Sequence, residues 1–181
     1  MAVYKSFIKK AVKNSLSQFM LRDTYLLKED VSERAITHKL AEYLQHEFGS
    51  FYSVDCEYNR NFLLQGRSKR IHVLEKEIKE LVKSKPSIEI INDLAYREIS
   101  VYPDIIVHKR GESSNLLVIE VKKSNNQIGN KLDSLKLEAY TDSSEANNLH
   151  YQFGLFINFD MSSYLNNELT WYKDGKVVTD F

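Results

Sequence analysis

The sequence predicts an α/β protein (α+β by sheet type) with a mixed central sheet flanked by helices. Three observations predict it. The first fifty residues hold two stretches of helical periodicity. Two Val/Ile-rich runs, 102–108 and 115–123, flank a polar turn containing Gly111 and read as an antiparallel hairpin. A helical stretch from Asn130 to Thr141 separates that hairpin from a further apolar run, 151–159, which reads as a buried strand. At 181 residues, 43% hydrophobic and 28% charged, the chain is expected to form one globular domain, residues 1–181, with a real core.

The elements follow in order. Residues 2 to about 20 read as an extra N-terminal amphipathic helix. Val3, Phe7, Ala11, Leu16 and Phe19 can lie near one face, while Lys5, Lys9 and Lys13 form an i, i+4 basic row. That row is either a solvated face or one that meets phosphates. A second helix is expected from about Val31 to Phe48, with Ile36, Leu40, Tyr43 and Leu44 on its apolar stripe. Glu33 lies close to two turns before Leu40 and falls on that stripe; Glu42 falls opposite. Residues 51–60 read as a strand with Val54, Cys56 and Tyr58 on one face. Arg60 closes it, to pair with Glu57 or a nearby acid, or to contact phosphate. Residues 61 to about 95 read as a helical insertion. Ile71, Leu74, Ile78, Leu81 and Val82 mark a third helix ended near Pro86. Ser87 to Arg97 fits either a short strand or a turn. Near the C-terminal end, Asp174-Gly175 between Leu169–Tyr172 and Val177–Thr179 signals a second hairpin.

The first hairpin carries the chemistry. If Lys109 pairs with Asn115, the same register sets Asp104 opposite Glu120. Side chains alternate, so Asp104, Glu120 and Lys122 share one face, and a one-residue slip would part Asp104 from the others. Opposed like charges destabilise a strand pair. At roughly 5 Å and an effective dielectric of about 20, the repulsion is on the order of 3 kcal/mol. It is relieved if one carboxyl protonates or if a hard cation binds between them. Mg²⁺ suits such oxygen ligands, with Mn²⁺ expected to substitute. A metal, an anionic scissile group and Lys122 together would make a site for phosphodiester hydrolysis.

At Pro103-Asp104 and Glu120-Val121-Lys122 the sequence resembles the PD-(D/E)xK nuclease superfamily, which has the restriction-endonuclease-like fold. The resemblance covers roughly residues 30–160 and implies an αβββαβ core. It implies that Asp104 and Glu120 coordinate the metal, with the Val121 carbonyl as a third ligand. Lys122 would orient or deprotonate the attacking water, or stabilise the pentavalent phosphate. Glu33, on the first core helix, would help hold metal or water. The residues alone leave a capping box, Asp30-Val31-Ser32-Glu33, equally open. Lys136 and Tyr140 resemble the Gln-x-x-x-Tyr motif of recombination-type nucleases, with lysine in place of glutamine. Read plainly, they are a surface lysine and a half-buried tyrosine. Lys123, Lys136, Tyr140 and Arg60 are the expected nucleic-acid contacts. The expected activity is Mg²⁺-dependent hydrolysis of DNA; the alternative is a nuclease-fold binding or interaction module without turnover. Dimers are common in this superfamily, so a homodimer is among the expectations.

Composition narrows the partners. Formal net charge is zero, against a purely electrostatic nucleic-acid binder. Charge is uneven, though: Arg60 to Lys85 holds eight basic residues against three acidic ones. One basic face is enough for a nuclease. The single cysteine, Cys56, excludes an intrachain disulfide and fits a reducing, cytoplasmic location. No apolar run is long enough for a membrane span. The five histidines show no HExxH or paired Cys/His spacing, which argues against zinc.

Overall fold

The computed structural model describes residues 2–61, 67–81, 87–126, 129–164 and 166–181. The helices are α1 (Ala2–Arg22), α2 (Thr24–Lys28), α3 (Glu33–Phe48), α4 (Glu75–Ile78) and α5 (Asn130–Thr141). The strands begin with β1 (Ser53–Cys56), β2 (Arg60–Asn61), β3 (Arg67–Ser68), β4 (Arg70–Leu74), β5 (Ile88–Ile91) and β6 (Leu94–Ser100). They continue with β7 (Ile105–His108), β8 (Asn115–Lys123), β9 (Phe153–Phe159), β10 (Glu168–Lys173) and β11 (Lys176–Val178).

A six-stranded sheet in the order β1-β7-β8-β9-β10-β11 is the frame. Its pairs are antiparallel except β8–β9, which is parallel and joined through α5. The protein is therefore mixed α/β with a mixed central sheet flanked by helices. Helices α1 and α3 cover one face and α5 the other, so β8 is apolar on both faces rather than alternating. Ile105, Val107, Leu117, Ile119 and Val121 pack with Ile8, Val12, Phe19, Leu40 and Leu44 of α1 and α3. Ile106, Val118 and Phe156 pack with Leu137 and Tyr140 of α5 on the other face. Gly154 lets α5 approach β9 closely: a Cβ there would meet Leu137 Cδ2 and Thr141 Cγ2 at 3.2 Å and Tyr172 Cβ at 3.1 Å.

The hairpin keeps its predicted register where it matters. Ile105 pairs with Ile119, Ile106 with Val118 and Val107 with Leu117. One residue further, that register sets Asp104 beside Glu120. The turn end differs: a bulge pairs His108, not Lys109, with Asn115. The second hairpin turns at Asp174-Gly175, with φ of 50° and 71° at its two central residues.

The helical insertion is a correction. Among the described residues of this stretch only Glu75–Ile78 is helical; Arg70–Leu74 is a strand, and β4-β6-β5 form a three-stranded antiparallel sheet. Ile71, Leu74 and Ile78 fit a helical period. However, β-branched Ile71 and Val73 also alternate, both are buried, and β6 supplies a partner for them. The ambiguous stretch is a hairpin whose central residues Asn92 and Asp93 both have positive φ, 47° and 63°. Val82, Lys83, Lys85 and Pro86 lie outside the described residues. In α1, Ile8 is buried and Phe7 is 42% exposed, so the apolar face is rotated from the expected one. Lys5 and Lys9 donate to the carbonyl oxygens of Asp180 and Phe181, which ties down two members of the basic row. Among the described residues no helix is long and apolar enough to cross a membrane.

Candidate functional site

The acidic cluster lies at the carboxyl ends of parallel β8 and β9, beside the first turns of α3 and α5. Open α/β sheets bind ligands at this end of their strands. Asp104 stands in the bend just before β7, and its Oδ2 accepts a hydrogen bond from Val121 N at 2.8 Å. The N–H and C=O of one strand residue point to the same side. The Val121 carbonyl therefore faces Asp104 past the start of β7. Glu120 is 2% exposed; its Oε1 accepts from Tyr140 Oη at 3.2 Å and its Oε2 from Lys136 Nζ at 3.4 Å. Burial pushes Glu120 well above the usual carboxylate range, and the charges of Asp104 and Asp133 add to this against the pull of Lys136. Burial also raises Asp104, against the Val121 N–H.

The lysines are enclosed by acids. Lys122 Nζ is 3.3 Å from Glu33 Oε2 and 3.5 Å from Asp133 Oδ2. Lys136 Nζ is 2.6 Å from Asp133 Oδ1. Burial would lower both lysines, but the surrounding carboxylates prevail and raise them, so both stay ammonium ions. Among the described residues, the cationic groups against Asp104, Glu120, Asp133 and Glu33 are Lys122 and Lys136. When all six are ionised, two negative charges remain uncompensated.

Glu33 does not form the expected capping box. Ser32 is the N-cap of α3, accepting from Ala35 N at 3.4 Å, and Glu33 is the first helical residue. Its Oε1 instead accepts from Lys123 N at 3.3 Å and Asn126 Nδ2 at 3.1 Å. Lys123 holds the loop before α3: its Nζ is 2.5 Å from Asp30 Oδ1 and 3.0 Å from Val31 O. That engagement removes it from the simple picture of a free phosphate contact.

Arg60 is not at this site. Glu57 has φ of 49° and ends β1 early, which redirects the chain. Arg60 lines a hollow with Lys69, His108, Gly111 and Asn115 at the turn end of the hairpin. Glu57 pairs with Arg34 at 2.8 Å instead. The basic stretch that begins at Arg60 also contains a buried member. Lys69 is 2% exposed, lies 4.8 Å from the Tyr58 ring centroid and donates to Tyr58 O at 3.0 Å. Burial pushes it down to about 8.

Sequence reasoning missed Asp133. It is 4% exposed and stands three residues before Lys136 on one face of α5. In sequence it resembles an ordinary acid in a helix's first turn, where the dipole favours it. Its spacing from Lys136 and Tyr140 was the available signal. A second cluster, His72, Glu89 and Glu98, has ligand atoms all within 4.8 Å of one another. Three strands bring these residues together, so no linear spacing announces them. An imidazole donor does not suit Mg²⁺. The group is accounted for by a hydrogen bond between His72 and Glu89 at 3.1 Å and by the Arg70–Glu98 ion pair.

No family model, curated protein or solved structure matches this chain.

Proposed function

We propose that this protein is a metal-dependent nuclease of the PD-(D/E)xK type, hydrolysing DNA phosphodiester bonds. The observation that carries the reading is the group of half-buried Asp104 with buried Glu120 and Asp133, with Lys122 and Glu33 at its edge and more negative than positive charge. With β2 to β6 and α4 set aside as an insertion, the remaining elements from α3 to β9 run α3-β1-β7-β8-α5-β9, and this order supports the reading of a restriction-endonuclease-like core.

The donors fit a hard divalent cation. All are oxygens, and Asp133 Oδ2 is buried without a hydrogen-bond donor. Asp104, Glu120, Asp133 and the Val121 carbonyl would hold Mg²⁺, which would polarise the scissile phosphate and lower the pKa of water. Lys122, held as an ammonium ion between Glu33 and Asp133, donates to the attacking water or to the phosphate oxygens and balances charge that builds there. Glu33 positions Lys122. Tyr140 fixes Glu120 through its hydroxyl.

A binding module without turnover is the second reading. It is favoured by a separate aromatic hollow of about 510 Å³, lined by Tyr4, Phe51, Tyr52, Lys109 and Phe153 and remote from the acids. The test is incubation of the purified protein with plasmid DNA, linear DNA and RNA in Mg²⁺ or Mn²⁺. Cleavage that stops with a chelator and in Glu120→Ala supports the nuclease. Wild type that cuts none of them favours the module.

A further inference from the structure

Lys136 sits where a cation would sit. Its Nζ lies 2.6 Å from Asp133 Oδ1 and 3.4 Å from Glu120 Oε2. Asp133 is 4% exposed and Glu120 2%, so neither carboxylate is free to turn toward water. Asp133 Oδ2 accepts no hydrogen bond and has Lys122 Nζ 3.5 Å away. The site therefore has a vacant acceptor on one side of Asp133 and a resident ammonium group on the other.

Resting on the nuclease reading, we infer that Lys136 is an internal counter-ion that closes the site: a divalent cation takes the Glu120 and Asp133 oxygens only as Lys136 leaves them, and the released ammonium group turns to a substrate phosphate. A lysine can do this because its charge is compact and its four-carbon stem rotates. The closed state reduces apparent metal affinity by the fraction of molecules that are open. A phosphate that draws Lys136 out tightens metal binding, and metal tightens phosphate binding by the same factor. Substrate and metal thus load together. Glutamine at this position would bring no such charge.

The experiment is Mn²⁺ binding to the nucleic-acid-free protein, followed by electron paramagnetic resonance. Lys136→Gln should bind Mn²⁺ at least about tenfold more tightly than wild type, roughly 1.4 kcal/mol, while Lys136→Arg should not. A folded Lys136→Gln protein with unchanged or weaker affinity overturns the inference. A second measurement serves if that variant does not fold. In wild type labelled with ¹⁵N-lysine, the Lys136 ammonium signal should be protected from exchange and should lose that protection on saturation with Mg²⁺. An unchanged signal overturns the inference. Cleavage is not the readout. A protein that shows this metal behaviour yet cuts no nucleic acid sinks the nuclease reading and keeps the counter-ion. A protein that cuts while both lysine variants bind Mn²⁺ like wild type does the reverse. Absence of Mn²⁺ binding by all three overturns both.

Discussion

Adding Mn²⁺ or Mg²⁺ should stabilise the folded protein, and more so at pH 8 than at pH 5.5. Glu120 and Asp104 have folded pKa values raised chiefly by burial. Sign follows from linkage: a carboxyl raised in the fold adds stability below its unfolded value, near about 4, and that stability is lost as pH rises through the folded value. The metal-free protein therefore weakens as these groups ionise. A bound cation removes the repulsion, on the order of 3 kcal/mol for one close pair at an effective dielectric of about 20. Metal at about 100 times its Kd contributes about 2.7 kcal/mol. For a chain of 181 residues, each kcal/mol raises Tm by about 2–4 °C. The expected gain is then about 5–11 °C at pH 8. At pH 5.5 protons hold the same oxygens and the gain should shrink. Thermal melts with and without metal measure this, with Asp104→Ala as the control that loses it. An equal gain in Asp104→Ala, or one that grows toward acid, would refute the reasoning.

Glu33→Gln should destabilise by about 1–2 kcal/mol in urea melts, since it loses charged acceptors for Lys122, Lys123 N and Asn126. Glu42→Gln, half-exposed and paired among the described residues with Lys39 and His38, should stay within about 0.5 kcal/mol; equal effects would mean that the helix phase does not matter. Gly154→Ala should cost about 1–3 kcal/mol by pushing α5 from β9, because the Tyr172 Cβ it meets is fixed to β10. A neutral result in the same melts would show that α5 has room to give.

The core of the fold was legible because hydrophobic runs mark buried strands. β8 and α5 occupy their predicted spans, Asn115–Lys123 and Asn130–Thr141. The parity of Asp104, Glu120 and Lys122 follows from the period of a strand, and it survives the bulge because the bulge lies at the turn end of the hairpin. What failed was tertiary in origin. Arg70–Leu74 satisfies both periods, and only its pairing with β6 decides for strand. Arg60 was misplaced because Glu57 adopts a left-handed φ that no residue type signals. Glu33 was legible as inward, but its choice between capping and the site depends on Lys122 reaching it from another strand. Asp133 was missed because a first-turn acid has an ordinary explanation.

The nuclease account is tested most directly by Lys122→Ala measured three ways beside wild type: Mn²⁺ affinity, DNA affinity and single-turnover cleavage. Lys122 bonds to Glu33 and Asp133, while the Asp104–Val121 and Glu120–Tyr140 contacts do not involve its side chain. The account predicts that metal binding and most DNA affinity persist while cleavage falls at least about tenfold, a barrier increase of roughly 1.4 kcal/mol. Wild type that cuts neither DNA nor RNA with either metal, and binds DNA no differently from Lys122→Ala, would contradict it.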